Sequence, residues 1–398
     1  MSVSAPVVFY ITGHGFGHAS RDIEIINALR VRQPGLPIIV CTGVPAWLIQ
    51  NSVTQPIELR EVECDTGLEQ LDSLHLDAQA SLRRAGEFYK NFDQKVVIER
   101  EFLRACQARL VLADIPPLAF DAAAAAGLQS IAIGNFTWDW IYEDYPEHVK
   151  YPELLTTIRR AYSHAALALR LPMHGGFEGL ERITRDSPLV ARRSQRTPAD
   201  TRRTLGLPDG LLFLLSFGKY GIRGADPSAP HRLARYTLVV TDDASGREVW
   251  PASAQGSGEA RRSSKSEGWN ADDAHGHGRR SNVVRISGAQ LRQAGCLYQD
   301  LIRAVDVVVT KPGYGIVSDC IANDTAMLYT SRGHFREYDV LVAGMQRYTR
   351  CEFIDNDSLL TGRWEPFVER LLAAPKPAEQ PRVDGADVAA DVILKMLP

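Results

Sequence analysis

The sequence predicts an α/β protein made of two doubly wound parallel sheets that face each other across a cleft. Three observations carry this. Short, nearly all-apolar runs alternate with helical patterns along most of the chain, as they do when parallel strands are covered by helices on both faces. The alternation starts near Val7, pauses, and restarts near Ala165, which gives two halves of similar size. Each half also has an apolar strand running into a glycine-bearing turn, the place where open α/β sheets hold ligands.

In the first half the strands are Val7 to Thr12, Ile38 to Thr42, Leu59 to Cys64, Leu110 to Ala113 and Ser130 to Ile133. Helical patterns lie between them at 21–30, 45–51, 79–106 and 120–127. Residues 65–75 read as irregular chain ahead of a long helix. The second half reads as strands at Ala165 to Leu171, Leu211 to Phe217, Tyr236 to Thr241, Val283 to Ile286, Val305 to Val309 and Ala326 to Tyr329. These runs divide the chain into a first domain at 1–163, a second domain at 164–380, and a last helix at 381–398 that crosses back onto the first domain. Residues 242–281 are rich in Gly, Ser and charge and have no periodicity, so they read as a disordered loop insertion. His275 and His277 within it read as solvated side chains.

Composition removes several classes. The 398 residues are 45% hydrophobic and 23% charged, with a formal net charge of -3. No arginine-rich array interleaves with aromatics, so nucleic acid is not expected as a partner. The six cysteines stand singly and form no C-x-x-C pair, which excludes a zinc framework or a disulfide scaffold. Reduced, buried thiols favour a cytoplasmic setting. The opening segment lacks the basic region of a signal peptide, and no apolar run of about 18 residues is present. Peripheral contact is then the one mode of membrane association left open.

Two glycine turns carry the candidate chemistry. Gly13-His14-Gly15-Phe16-Gly17-His18 follows the first strand. Its G-x-G-x-G spacing and the lack of an acid after the second strand argue against a dinucleotide fingerprint. A neutral imidazole on such a loop suits proton transfer from an acceptor hydroxyl near neutral pH. Each histidine has two readings, as catalytic base or as a shaper of the loop, and His18 leads because it stands nearer the helix. Thr310-Lys-Pro-Gly313-Tyr-Gly315-Ile-Val-Ser318-Asp319 is the second turn. Its helix start suits a diphosphate, with Ser318 and Asp319 placed in the first helical turn and a short acid suited to a ribose diol. A plain turn capped by Ser318 is the alternative. Asp114 either orients His18, binds acceptor, or caps a helix. Asn135 and Trp138 suit a sugar ring, and packing is the other reading of Trp138.

Several stretches together resemble GT-B-type glycosyltransferase-like proteins. They are the 13–21 loop, Ala113-Asp-Ile-Pro-Pro117, Gly134-Asn-Phe-Thr-Trp-Asp-Trp-Ile-Tyr142, the 310–319 turn and Arg332-Gly-His-Phe-Arg-Glu337. The pattern is similar to the N-terminal region of L-arabinokinases and, more distantly, to family 28 glycosyltransferases. It covers nearly the whole chain outside 242–281, and the kinase part of arabinokinases has no counterpart in it.

The resemblance implies two Rossmann-like domains and a metal-independent, inverting hexosyl transfer from a nucleotide-sugar co-substrate to an unknown acceptor, without a bound cofactor. It implies a donor site at Gly218, Lys219, Ile286, Ser287, Gly313, Gly315, Ser318, Asp319 and Glu337. It implies an acceptor side at Gly15, Gly17, Asn135 and Trp138, with His18, His14 and Asp114 as catalytic residues. In the family the position of Asp319 is usually Glu, one methylene longer. A sugar-nucleotide-binding module without turnover and a GT-B-fold epimerase are the alternative functions.

Overall fold

The computed structural model describes residues 5–218, 221–241 and 282–397. The insertion at 242–281 and Lys219 lie outside the described residues.

Fifteen strands are present among the described residues: β1 Val7–Ile11, β2 Ile38–Thr42, β3 Glu58–Glu61, β4 Glu69–Gln70, β5 Leu76–Asp77, β6 Leu110–Asp114, β7 Ser130–Gly134, β8 Leu167–Arg170, β9 Thr184–Asp186, β10 Leu212–Ser216, β11 Thr237–Thr241, β12 Val283–Ile286, β13 Val307–Thr310, β14 Ala326–Tyr329 and β15 Cys351–Phe353. Seven form one parallel sheet in the order β3-β2-β1-β6-β7-β8-β9. Six form a second parallel sheet in the order β12-β11-β10-β13-β14-β15. Central strands such as β1, β6 and β7 are buried along their whole length, which is why they read as unbroken apolar runs.

Both strand orders reverse direction, and each reversal leaves a crevice at the carboxyl edge of its sheet. In the first sheet the reversal falls between β1 and β6, where Ile11 pairs with Asp114. In the second it falls between β10 and β13, where Ser216 pairs with Thr310. Register therefore brings the loops after β1, β6 and β7 to one edge, and those after β10, β13 and β14 to another.

Four details differ from the sequence reading. Leu167–Arg170, read there as opening the second half, pairs with β7 in the first sheet. A fully apolar parallel strand carries no mark of the sheet it joins. The long helix read over 79–106 breaks at Asn91 into Ala78–Lys90 and Phe92–Ala105. Residues 65–75 are an arm whose β4–β5 hairpin reaches the second sheet: the Ser73 hydroxyl donates to the Phe217 carbonyl, and the Ser73 N–H to the Gly221 carbonyl at 3.2 Å. The helix after β13 begins at Tyr314, so Ser318 and Asp319 fall beyond its first turn instead of within it.

The last helix, Gly385–Met396, lies along the first, Gly17–Arg32. Ala389, Ala390 and Ile393 enter the same apolar cluster as Ile25, Ile26 and Leu29. Arg32 caps this contact with ion pairs to Asp387 at 2.9 Å and Asp391 at 2.6 Å. Both pairs are exposed enough for water to screen, so the apolar contact carries the packing. No described helix is long and apolar enough to cross a membrane.

Candidate functional site

A cavity of about 370 Å³ lies between the two sheet edges, lined from both sides. The helix Gly17–Arg32 starts on one side and Tyr314–Asn323 on the other. Neither start has a side-chain cap or an acid in its first turn, so both present free N–H groups and partial positive charge. Gly15 takes a positive φ of 75°, which turns the 13–17 loop into the helix without a side chain in the way.

The two turns touch. A Cβ at Gly315 would stand 3.1 Å from the Gly17 Cα, and one at Gly17 would stand 3.6 Å from the Gly315 N. The 3.1 Å approach at Gly315 is tighter than an ordinary contact, whereas the 3.6 Å one at Gly17 is an ordinary van der Waals distance. Gly315→Val is expected to wedge the two domains apart, at a cost of about 1–3 kcal/mol typical of overpacking. The denaturant midpoint should fall, and the affinity for nucleoside diphosphates should fall with it.

Behind the cleft wall runs a chain of buried polar groups. His18 Nδ1 lies 2.8 Å from Asp114 Oδ1. Arg21 donates to both Asp114 oxygens, and its Nη1 donates to Asn135 Oδ1 at 2.8 Å. Asn135 Nδ2 then donates to Glu337 Oε1 at 2.8 Å, and Arg332 Nη1 donates to Glu337 Oε2 at 3.0 Å. All six side chains are buried, with Asp114 and Asn135 at 0% exposure. The chain crosses from the first domain to the second. Burial alone would raise the Asp114 carboxyl, but Arg21 and His18 beside it outweigh burial and hold it down to about 2.

Asp114 is therefore an anion at neutral pH, and in the Nδ1–H tautomer His18 donates to it. Arg21 Nη2 lies 2.8 Å from the same nitrogen and bonds Asp114 with one of its two hydrogens. Nε2 of His18 has no partner among the described residues and belongs to an imidazole that lines the cavity. His14 also lines it, with Nδ1 accepting from the Leu68 N–H at 3.2 Å. Burial first, then Arg332, His18 and Lys311, push its pKa well below the ordinary histidine range. The Leu68 bond fits the reading of His14 as a shaper of the loop.

Comparison with known proteins follows this geometry. No family model matches the chain. It is 29% identical over 393 residues to an L-arabinokinase of Arabidopsis thaliana, across 97% of this chain and 34% of that protein. The chain thus spans about a third of that relative's length. Among solved structures, the glycotransferase of kitacinnamycin superposes with a TM-score of 0.58 at 17% identity, over 99% of this chain and 100% of the other. UGT2 of Phytolacca americana, solved with UDP-2-fluoro-glucose and pterostilbene, gives 0.56 at 11% identity over 100% and 94%. The chain has the GT-B fold.

Within this GT-B cleft, Gly15, Gly17, His14 and His18 line one wall, and Gly218, Gly313, Gly315 and Glu337 line the other. Other expected residues are placed elsewhere. Asp319 does not reach the cavity. Because its helix begins at Tyr314, Asp319 falls beyond the first turn, buried at 2% exposure. The Arg192 N–H donates to its Oδ1 at 2.8 Å, and the Arg192 guanidinium takes Oδ2. Arg192 itself lines the cleft. Asn323 tethers the same segment through Ser194 N and Arg192 O. Asp319 thus fixes the connection between the domains instead of offering a free carboxylate to a ribose.

Ser318 is buried and donates to the Gly315 carbonyl at 3.0 Å. Ile286 is core, and Ser287 caps the helix Gly288–Gln293 in a capping box with Gln290, so Gly288 is what meets the cavity. Trp138 is fully buried and donates Nε1 to Asp65 at 2.8 Å, which is the packing reading. Asn135 bridges the domains through Arg21 and Glu337 and is not among the residues that line the cavity.

Lys311, Arg332, Arg192 and Gln70 line the cavity although the sequence reading gave them no role. Lys311 Nζ donates across the cleft to Gln70 Oε1 at 3.3 Å and has no ion-pair partner among the described residues. Burial, reinforced by Arg332, pushes its pKa well below the ordinary lysine range. An arriving anion would reverse that shift. The readable signal was position alone: Lys311 directly follows a buried strand at the reversal of the second sheet.

Proposed function

We propose that the protein transfers a sugar from a nucleotide-sugar donor to an acceptor hydroxyl, without a metal and with inversion at the anomeric carbon. The observation that carries this is the His18–Asp114 pair at 2.8 Å, aimed into the cleft opposite the Gly313–Gly315 turn. His18 Nε2 takes the acceptor proton as the acceptor oxygen bonds the anomeric carbon. The bond from that carbon to the diphosphate breaks on the opposite face, and the nucleoside diphosphate leaves with the electron pair. Asp114 holds the ring and balances the imidazolium that forms. The free N–H groups at the start of Tyr314–Asn323, with Lys311 and Arg332, meet the developing charge on the diphosphate. Glu337, held by Asn135 and Arg332, faces the donor sugar from the second domain.

Thermal denaturation with a panel of nucleoside diphosphates and their sugars tests the donor site. The matching donor at about 100-fold its dissociation constant should stabilise the protein by about 2.7 kcal/mol. Absence of a shift with every member of the panel removes the reading.

The match to about a third of a larger kinase favours a second reading, a donor-binding module without turnover. Release of nucleoside diphosphate by the wild type, lost in His18→Ala while binding persists, separates the two.

A further inference from the structure

The start of the helix Gly17–Arg32 sets three polar side chains on one face: His18, Arg21 and Asp22, spaced i, i+3 and i+4. All three converge on Asp114 of β6. His18 and Arg21 have their partners. Asp22 does not: it is 0% exposed, and no N–H or O–H among the described residues reaches either of its carboxyl oxygens. The group it does reach is Asp114, itself an acceptor.

Two adjoining carboxylates that are both fully buried cannot both be ionised at neutral pH, and one proton between them relieves the repulsion. The neighbours decide which one holds it. Asp114 faces Arg21 and His18, and their charge and hydrogen bonds keep it ionised. Asp22 has burial against it first, then the Asp114 charge, and both push its pKa well above the ordinary carboxyl range. The other charged and titratable groups facing the pair are Tyr314, whose ring lies 5.0 Å from the Arg21 guanidinium, and Asp65.

We propose that Asp22 is an un-ionised carboxylic acid that donates its proton to Asp114, a positioning residue that sets the charge behind the His18–Asp114 pair. The hydrogen bond disperses the Asp114 charge. With Asp22 neutral, the Asp22–Asp114 pair carries one negative charge against Arg21, and His18 is spared the carboxylate charge that an ionised Asp22 would add to that of Asp65. This rests on the reading of His18 as base.

Three variants and two readouts test it. In the infrared spectrum at pH 7 the wild type should show the carbonyl stretch of a buried un-ionised acid, absent from Asp22→Asn. This measurement needs no turnover, so it stands if the transfer reaction proves wrong. In sugar transfer, Asp22→Asn keeps both the shape and the N–H donor, so the acid limb of its pH–rate profile should match the wild type. Asp22→Leu loses the donor, concentrates charge on Asp114, and should move that limb up by about one pH unit. Asp22→Glu, which restores a carboxyl, should move it back. No acid band that Asp22→Asn removes, or an acid limb in Asp22→Asn displaced to lower pH as loss of an ionised carboxylate requires, overturns the proposal.

Discussion

Replacing His18 with alanine is expected to slow sugar transfer by roughly 10²–10⁴-fold, the usual contribution of a positioned general base. Nucleoside diphosphate affinity should stay within about twofold, because the helix start at Tyr314, Lys311 and Arg332 remain on the opposite wall. Two parts of the structure force this split. The imidazole belongs to the first domain, and its polar and ring contacts among the described residues are to the first-domain groups Asp114, Arg21 and Phe136. The anion-holding groups belong mainly to the second. Steady-state rates together with calorimetric titration of the nucleoside diphosphate measure both halves. A variant that loses donor binding along with rate would make His18 a structural residue. Asp114→Asn is the companion change. It keeps the shape but replaces the anion with a neutral amide, so the rate should fall while the fold persists.

The sheets were legible in the sequence because parallel strands are buried on both faces and read as apolar runs, as Val307–Thr310 and Leu110–Asp114 do. The cleft followed from strand order. Gly17 and Gly315 do face each other closely, as a two-sheet cleft requires. Asp319 shows where this reasoning fails. Its position in the motif suggested a ligand, yet an arginine more than a hundred residues upstream takes both of its oxygens. No local pattern announces such a pairing. The Asn135–Glu337 bond was hidden for the same reason, since it joins a loop of the first sheet to a helix start beside the second. By contrast, the His18, Arg21 and Asp22 spacing is local and could have been read as one helix face, had the helix been started at Gly17 and not at Arg21. Helix beginnings are the least certain feature of a sequence reading, and here the site lies on two of them.

Arg21→Met should be the most destabilising single change at the site, by about 3–5 kcal/mol, the typical cost of breaking a buried ion pair from one side. Arg21 is 3% exposed and serves Asp114, Asn135 and the Tyr314 ring together. Methionine fills most of the volume but leaves the Asp114 anion buried without its guanidinium, with His18 and the Asp22 carboxyl as its remaining partners. Denaturant unfolding should show the loss, and Arg21→Met/Asp114→Leu should recover part of it because no bare charge is left behind. The acid response gives an independent check with a definite sign. The Asp114 carboxyl is depressed to about 2 in the fold, against roughly 3.9 when unfolded. Its contribution to stability is therefore present above about pH 4 and is lost as the pH falls toward 2. Without Arg21 that depression shrinks, so the protonation that undoes the cluster begins at higher pH and the acid-unfolding midpoint rises. If Arg21→Met unfolds in acid at the wild-type pH, Arg21 is not what holds Asp114 ionised, and the charge placed behind His18 must come from another group.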